Sequence, residues 1–150
     1  MTGLSRGGQV FSDVLVEVFR VNGLLLAAGD ELTRPAGLTS ARWQVLGVVD
    51  HEPATVATVA RTMGLTRQSV RQTADALVRD GLVEFAENPA HRRARLLRLT
   101  PTGRAALRYV EKRQAGWASD IGDRLPVTEL RACLSVLRDL GDLLEEPDGR

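Results

Sequence analysis

Cysteine occurs once in the 150 residues, at Cys133. A single thiol excludes a disulfide framework and a multi-cysteine zinc site within one chain. The two histidines, His51 and His91, lie far apart and have no ligand partners at metal-binding spacing, so no metal is expected. No apolar run approaches the ~18–20 residues that span a bilayer, so no membrane association is expected. The opening residues lack the long apolar core of a secretory signal, which makes the cytoplasm the expected location. Paired carboxylates, a nucleophile with its base and a phosphate-cradling glycine loop are all missing at recognisable spacing. The chain therefore reads as a non-enzyme without a cofactor. Hydrophobic residues at 43% and charged residues at 26% are ordinary for a globular protein and exclude disorder as the main state. The length suits one domain, or one domain with a dimerisation extension.

The formal net charge of +1 hides an asymmetry. Residues 1–60 carry 4 basic and 6 acidic groups. Residues 61–104 carry 9 arginines against 4 acids, Asp75, Asp80, Glu84 and Glu87. Residues 105–150 return to 7 basic and 9 acidic groups. A basic middle third between mildly acidic flanks is the footprint of a surface that binds a polyanion.

Hydrophobic spacing then orders the chain. Residues 1–9 are glycine-rich and expected to fray. From Val10 a helical stripe runs through Phe11, Val14, Leu15, Val18, Phe19, Leu25 and Leu26, and Pro35-Ala-Gly37 ends it. The run Val21 to Ala28 is apolar on more than one face, which calls for burial on several sides. Thr39 or Ser40 caps a short helix carrying Trp43, Val45, Leu46 and Val49. After Pro53, Thr55 caps a third helix with Val56, Val59, Ala60 and Met63 inward, stopped by Gly64. Thr66 caps a fourth helix, with Val70, Ala74, Leu77 and Val78 inward, that ends at Gly81. Residues 82–86 and 92–99 read as two strands joined by an Asn-Pro turn. Thr100-Pro101 opens a fifth helix. Beyond Pro126, Thr128 is the expected cap of a sixth, striped by Leu130, Cys133, Leu134, Leu137, Leu140, Leu143 and Leu144. The expected class is mainly α with a small β-hairpin wing.

Residues 55–81 form helix, tight turn, helix. Ala60 lets the helices approach, Gly64 allows the turn, and Val70 packs the second helix on the first. This is a helix-turn-helix, whose second helix enters the major groove of DNA. Thr66, Arg67, Gln68, Ser69, Arg71 and Gln72 crowd the first turns of that helix, and no acid occurs from Thr66 to Ala74. Arginine can donate two hydrogen bonds to guanine, and glutamine can pair with adenine. The following hairpin carries Arg92, Arg93, Arg95 and Arg98. A hairpin after a recognition helix is a wing whose tip reaches the minor groove, where arginine is favoured. Arg92, Arg93 and Arg95 near the tip are the expected DNA contacts, and Arg98, deeper in, is expected to form an ion pair.

The segments Leu38 to Leu46, Thr55 to Val70, Leu77 to Val83 and His91 to Gly103 resemble the MarR family of bacterial transcription regulators, in that family's element order across roughly residues 10–145. The resemblance implies a winged helix-turn-helix at residues 38–100, with dimerisation helices at 10–37 and 101–146. It further implies a homodimer on a pseudo-palindromic operator in double-stranded DNA, acting as a repressor that a small aromatic or phenolic effector releases. One position departs from the pattern. His91 stands where the family usually has an aspartate before the wing arginines. Two readings follow: a wing contact sensitive to mild acid, since an unperturbed imidazole titrates near ~6.5, or an exposed loop histidine with no role.

Other residues carry competing readings. Trp43 and Trp117 are weak candidates to line an effector pocket, against core packing. Cys133 is expected to be a buried, inert thiol among leucines rather than an oxidant sensor. The apolar first helix and the leucine stripe at 130–144 either complete a monomeric core or face a second copy. The alternative function is a winged-helix protein–protein adaptor whose arginines meet an acidic partner rather than DNA.

Overall fold

A computed structural model describes residues 3–146. The chain divides into two compact units, the first ending at Glu111 and the second beginning at Lys112.

The first unit opens with α1, Arg6–Thr33. It starts earlier than the Val10 stripe indicates, so residues 6–9 are helical and not frayed. The cause is local: the Ser5 hydroxyl accepts the Gly8 N–H at 3.0 Å and satisfies one of the free donors of the first turn. A 3-10 turn at Arg34–Ala36 leads into α2, Ser40–His51, capped by Thr39. Ser40 locks the start of α2 to the end of α1. Its N–H donates to Asp30 Oδ1 at 2.8 Å and its hydroxyl to the Leu26 carbonyl at 2.7 Å.

A two-residue strand, β1 (Ala54–Thr55), precedes α3, Val56–Met63. Gly64 then adopts φ 64°, and the Leu65 N–H returns to the Ala60 carbonyl at 2.8 Å. That left-handed turn is the reason for glycine between the two helices. The recognition helix α4 follows, Arg67–Arg79. Strands β2 (Val83–Ala86) and β3 (Leu96–Leu99) come next, and α5 starts at Pro101 and runs to Gly122.

The three strands form one antiparallel sheet in the order β1-β3-β2, with Ala54 opposite Leu97, Val83 opposite Leu99 and Phe85 opposite Leu97. The hairpin therefore has a third strand that two residues are too short to announce by alternation. The second strand is also shorter than the span 92–99 suggests. Residues 87–95 are loop, built from two successive turns in which His91 N–H donates to the Asn88 carbonyl at 3.1 Å and Ala94 N–H to the His91 carbonyl at 3.2 Å. Arg92, Arg93 and Arg95 thus lie on a loop, and strand alternation does not govern where they point.

The core of this unit gathers Val45, Leu46 and Val49 of α2, Val59 and Ala60 of α3, Val70, Ala74 and Leu77 of α4, Val83, Leu97 and Leu99 of the sheet, and Leu107 and Val110 of α5. Each such leucine contributes about 1.5–3 kcal/mol by burial. Met63, expected inward, is instead exposed at the end of α3.

Two devices fix the start of α5. Thr100 caps it by accepting the Gly103 N–H at 3.1 Å, while its hydroxyl donates to the Gly81 carbonyl at 2.6 Å. Gly103 lies so close to the preceding turn that a Cβ there would stand 1.9 Å from the Leu82 carbonyl oxygen. Asp50 of α2 then accepts from Arg104 at 3.3 Å and from Arg108 at 2.7 and 2.9 Å. Its hydrogen bond, then that of Glu111, holds the Arg108 guanidinium above even the usual arginine range.

The second unit holds the end of α5 and α6, Val127–Glu145. Pro126 precedes α6, and no side chain caps it, so Thr128 is not the cap but part of the first turn. No residue of α6 is buried. Leu130, Leu134, Leu137, Leu143 and Leu144 are exposed, and so is Cys133, which corrects the expectation of a buried thiol. The stripe that makes α6 amphipathic covers no core within one chain.

Candidate nucleic-acid interface

The recognition helix begins with a cap. Thr66 Oγ1 accepts the Ser69 N–H at 3.1 Å, and the Val70 N–H bonds to the Thr66 carbonyl at 3.1 Å. Thr66 is thereby engaged in holding the helix start. Burial of Val70, Ala74 and Leu77 along one face turns the opposite face outward. Arg67, Gln68, Ser69, Arg71 and Gln72 are all exposed.

The wing loop is organised by Asn88. Its amide donates to the Ala94 carbonyl at 2.9 Å, and its side-chain oxygen accepts the Ala90 N–H at 3.1 Å. One side chain thus staples both ends of the loop that presents Arg92 and Arg93. His91 is exposed there, and it lends only its backbone to the two turns. Lower in the wing, Arg98 donates to Glu84 across the strands at 2.8 Å, the ion pair expected of it.

The two arginine-bearing elements meet. Arg67, Gln68 and Arg71 of α4 and Arg93 and Arg95 of the wing loop line one open groove of about 470 Å³, with Thr55, Val56, Ala57, Phe85 and Ala94 completing its walls. No carboxylate lines it, although Asp75 pairs with Arg71 at 3.5 Å from one side. Both guanidinium groups approach Phe85: the Arg71 guanidinium carbon is 5.5 Å from the ring centroid and that of Arg95 is 5.0 Å. Thr66, Ser69, Gln72 and Arg92 do not line the groove. Arg92 and Arg95 border a neighbouring hollow with Glu87, Asn88 and Pro89.

Two residues that organise the site, Phe85 and Asn88, were not among those singled out from the sequence. The Asn-Pro turn signal marked Asn88. Nothing in the pattern marked Phe85, whose role depends on a neighbour fourteen residues upstream.

Trp43 is half-buried and packs against the core of the first unit, and Trp117 is half-buried in the second. Among the described residues there is no group of side chains suited to a metal ion, and no helix is long and apolar enough to cross a membrane.

Comparison with known proteins agrees with this architecture. The MarR family profile matches residues 36–94, from the turn after α1 to the wing loop. An uncharacterized protein of Mycobacterium tuberculosis is 38% identical over 125 residues, covering 83% of this chain and 87% of that one. Among solved structures, a MarR family transcriptional regulator from Rhodococcus sp. RHA1 is 25% identical with a TM-score of 0.77, covering 87% of this chain and 93% of that one. CouR from Rhodococcus jostii RHA1, crystallised with p-coumaroyl-CoA, aligns with a TM-score of 0.79 at 24% identity over 92% of this chain and 96% of its own. The M. tuberculosis regulator MosR in complex with DNA aligns at 0.73 and 24% identity over 87% and 97%. With the MarR profile matched over the winged helix-turn-helix at residues 36–94 and the fold of a solved MarR family regulator shared over 87% of this chain's length, the chain belongs to the MarR family of transcription regulators.

Proposed function

We propose that this protein is a homodimeric, sequence-specific DNA-binding regulator. In this reading α4 enters the major groove and the loop at 87–95 reaches the adjacent minor groove. The observation that carries it is the shared groove: three polar residues of the recognition helix and two wing arginines on one surface. Arg67, Gln68, Arg71 and Gln72 read base edges, and Arg92, Arg93 and Arg95 engage phosphates or the narrow groove. Thr66 and Ser69 set the register of the helix on the backbone.

The dimer follows from what one chain leaves uncovered. Phe19 at 69% exposure and Leu25 at 51% on α1, and Leu143 and Leu144 on α6, are apolar side chains that water disfavours. A second copy that covers them makes α1 and α6 dimerisation helices, and it places two recognition helices on half-sites ~34–36 Å apart. Repression and release by a small aromatic or phenolic effector complete the proposal, consistent with the acyl-CoA ester held by CouR. Trp43 and Trp117, both half-buried, are the candidates to line the effector pocket.

Selection of short random-sequence duplexes on the full chain tests this reading. The expected result is a pseudo-palindromic consensus bound at least ~10³-fold more tightly than random duplex. Enrichment of no consensus, with binding that random duplex matches, would overturn it.

A further inference from the structure

The aromatic ring at the bottom of the groove has a definite environment. Phe85 sits on β2 between Glu84, which faces outward to Arg98, and Ala86. Its backbone is paired opposite Leu97, a fully buried residue, and its side chain packs against the core. One side of the ring is therefore anchored in the part of the molecule least able to move. The exposed side meets two guanidinium groups, one from α4 and one from the wing loop, both inside the ~6 Å range at which an aromatic face attracts a cation. Two arginines that approach one ring repel each other; Asp75, 3.5 Å from Arg71, offsets part of that repulsion, and the negative face of the ring is the one counterweight that both guanidinium groups share. An arginine free in water also loses about 2 kcal/mol of rotamer freedom when fixed.

We propose that Phe85 is a positioning residue: rooted in the core, its ring holds Arg71 of the recognition helix and Arg95 of the wing in a fixed relation before DNA arrives. The proposal rests on the DNA-binding reading above and deepens it. The ring itself reads no base. It lowers the ordering cost of two side chains that contact DNA, and it ties the spacing between helix and wing to the sheet.

The test uses the full-length protein and the duplex recovered by selection, with a scrambled duplex beside it. Phe85→Leu keeps the apolar anchor and removes the π face, Phe85→Tyr keeps both, and each is also made in an Arg71→Ala/Arg95→Ala background. Phe85→Leu is expected to weaken binding to the selected duplex about fivefold to tenfold, with the protein still fully folded at the assay temperature, its melting point lowered by only a few degrees, and the salt slope unchanged because no phosphate contact is removed. Phe85→Tyr is expected within about twofold of wild type, and Phe85→Leu is expected to cost nothing further once both arginines are gone. In the free protein, side-chain proton resonances of Arg71 and Arg95 are expected to carry a ring-current shift that Phe85→Leu abolishes. Unchanged or tighter binding by Phe85→Leu, an equal loss in Phe85→Tyr, or a loss that persists without the arginines would overturn the positioning role. If wild type binds no duplex specifically, the regulator reading fails, and the ring-current shift still reports whether the ring holds the arginines.

Discussion

In the unit that ends at Glu111, Leu46, Leu77, Leu97 and Leu107 are between 0% and 1% exposed, whereas on α6 Leu143 and Leu144 stand at 68% and 74%. Both regions are written with the same apolar periodicity. They differ in what surrounds it. Within that unit α2 to α5 and the three strands fold around a common centre, so their stripes meet one another, while the stripe of α1 stays open, with Phe19 at 69%. The α6 stripe is open likewise. A stretch that finishes its own core can be read as a folded object, and a stretch that does not leaves an apolar face open to solvent. The same division separates the chemistry: the arginine-lined groove belongs wholly to the unit that ends at Glu111, and the exposed leucines of α6 belong to the other.

The most severe way to break the comparison is to disrupt the unit that ends at Glu111 from within. Gly103→Ala would place a methyl group 1.9 Å from the Leu82 carbonyl oxygen, a backbone atom that cannot rotate aside. The start of α5 must shift and loosen the Thr100 cap. The expected cost is about 3 kcal/mol, read as a fall of about 10 °C in melting temperature. A melting temperature unchanged from wild type would show that the close approach is not required.

The other half of the comparison is tested by charging the uncovered stripe. Leu134→Glu with Leu137→Glu on α6 alters residues that are exposed in the protomer and belong to no buried core. Sedimentation of wild type is expected to give a dimer at micromolar concentration and of the double variant a monomer, and the wild-type melting temperature is expected to rise with protein concentration. A double variant that still sediments as a dimer would remove α6 from the interface.

Much of this organisation was legible in the sequence, and the reasons lie in particular residues. The caps Thr39, Thr55, Thr66 and Thr100 and the stop at Gly64 are local signals, decided within a turn, and each marks its helix. The helix-turn-helix followed because Ala60, Gly64 and Val70 encode a geometry that only a few neighbours enforce. The structure departs from the sequence pattern for two kinds of reason, one local and the rest long-range. Ser5 extended α1 toward the N-terminus because a single cap outweighs a glycine-rich composition. The wing strand was drawn too long because Asn88 closes the loop from a distance that alternation does not register. The pairing of β1 with β3 and the approach of Arg71 and Arg95 to Phe85 join residues far apart in the chain, and no window of sequence contains them. Cys133 was misplaced for a related reason: a leucine stripe states that a face is apolar, not that the same chain covers it.

Within the groove, the division between base reading and backbone gripping can be sharpened. Arg71→Ala is expected to cost about 1–3 kcal/mol on the selected duplex and much less on a scrambled one, with relaxed preference at a single base position. Equal losses on both would assign Arg71 to phosphate. Arg93, held out by the wing loop, is expected to behave in the opposite way. Arg93→Ala should weaken both duplexes alike and flatten the dependence of log affinity on log salt by about one unit. An unchanged slope would detach it from the backbone.

Arg98 provides the smallest effect and the control that gives the others meaning. It stands on the same wing, three residues beyond Arg95, and carries the same charge. Its guanidinium is already committed to Glu84 across the sheet, at 2.8 and 3.0 Å, with both side chains about half exposed. An ion pair so open to water is worth less than about 1 kcal/mol. Arg98→Ala is therefore expected to lower the melting temperature by no more than about 3 °C and to leave the salt slope of binding where it was. Were Arg98→Ala to flatten that slope as much as Arg93→Ala does, Arg98 would leave Glu84 for DNA in the complex. The wing would then grip by its total charge, and the geometry that separates its loop arginines from its strand arginine would have no bearing on binding.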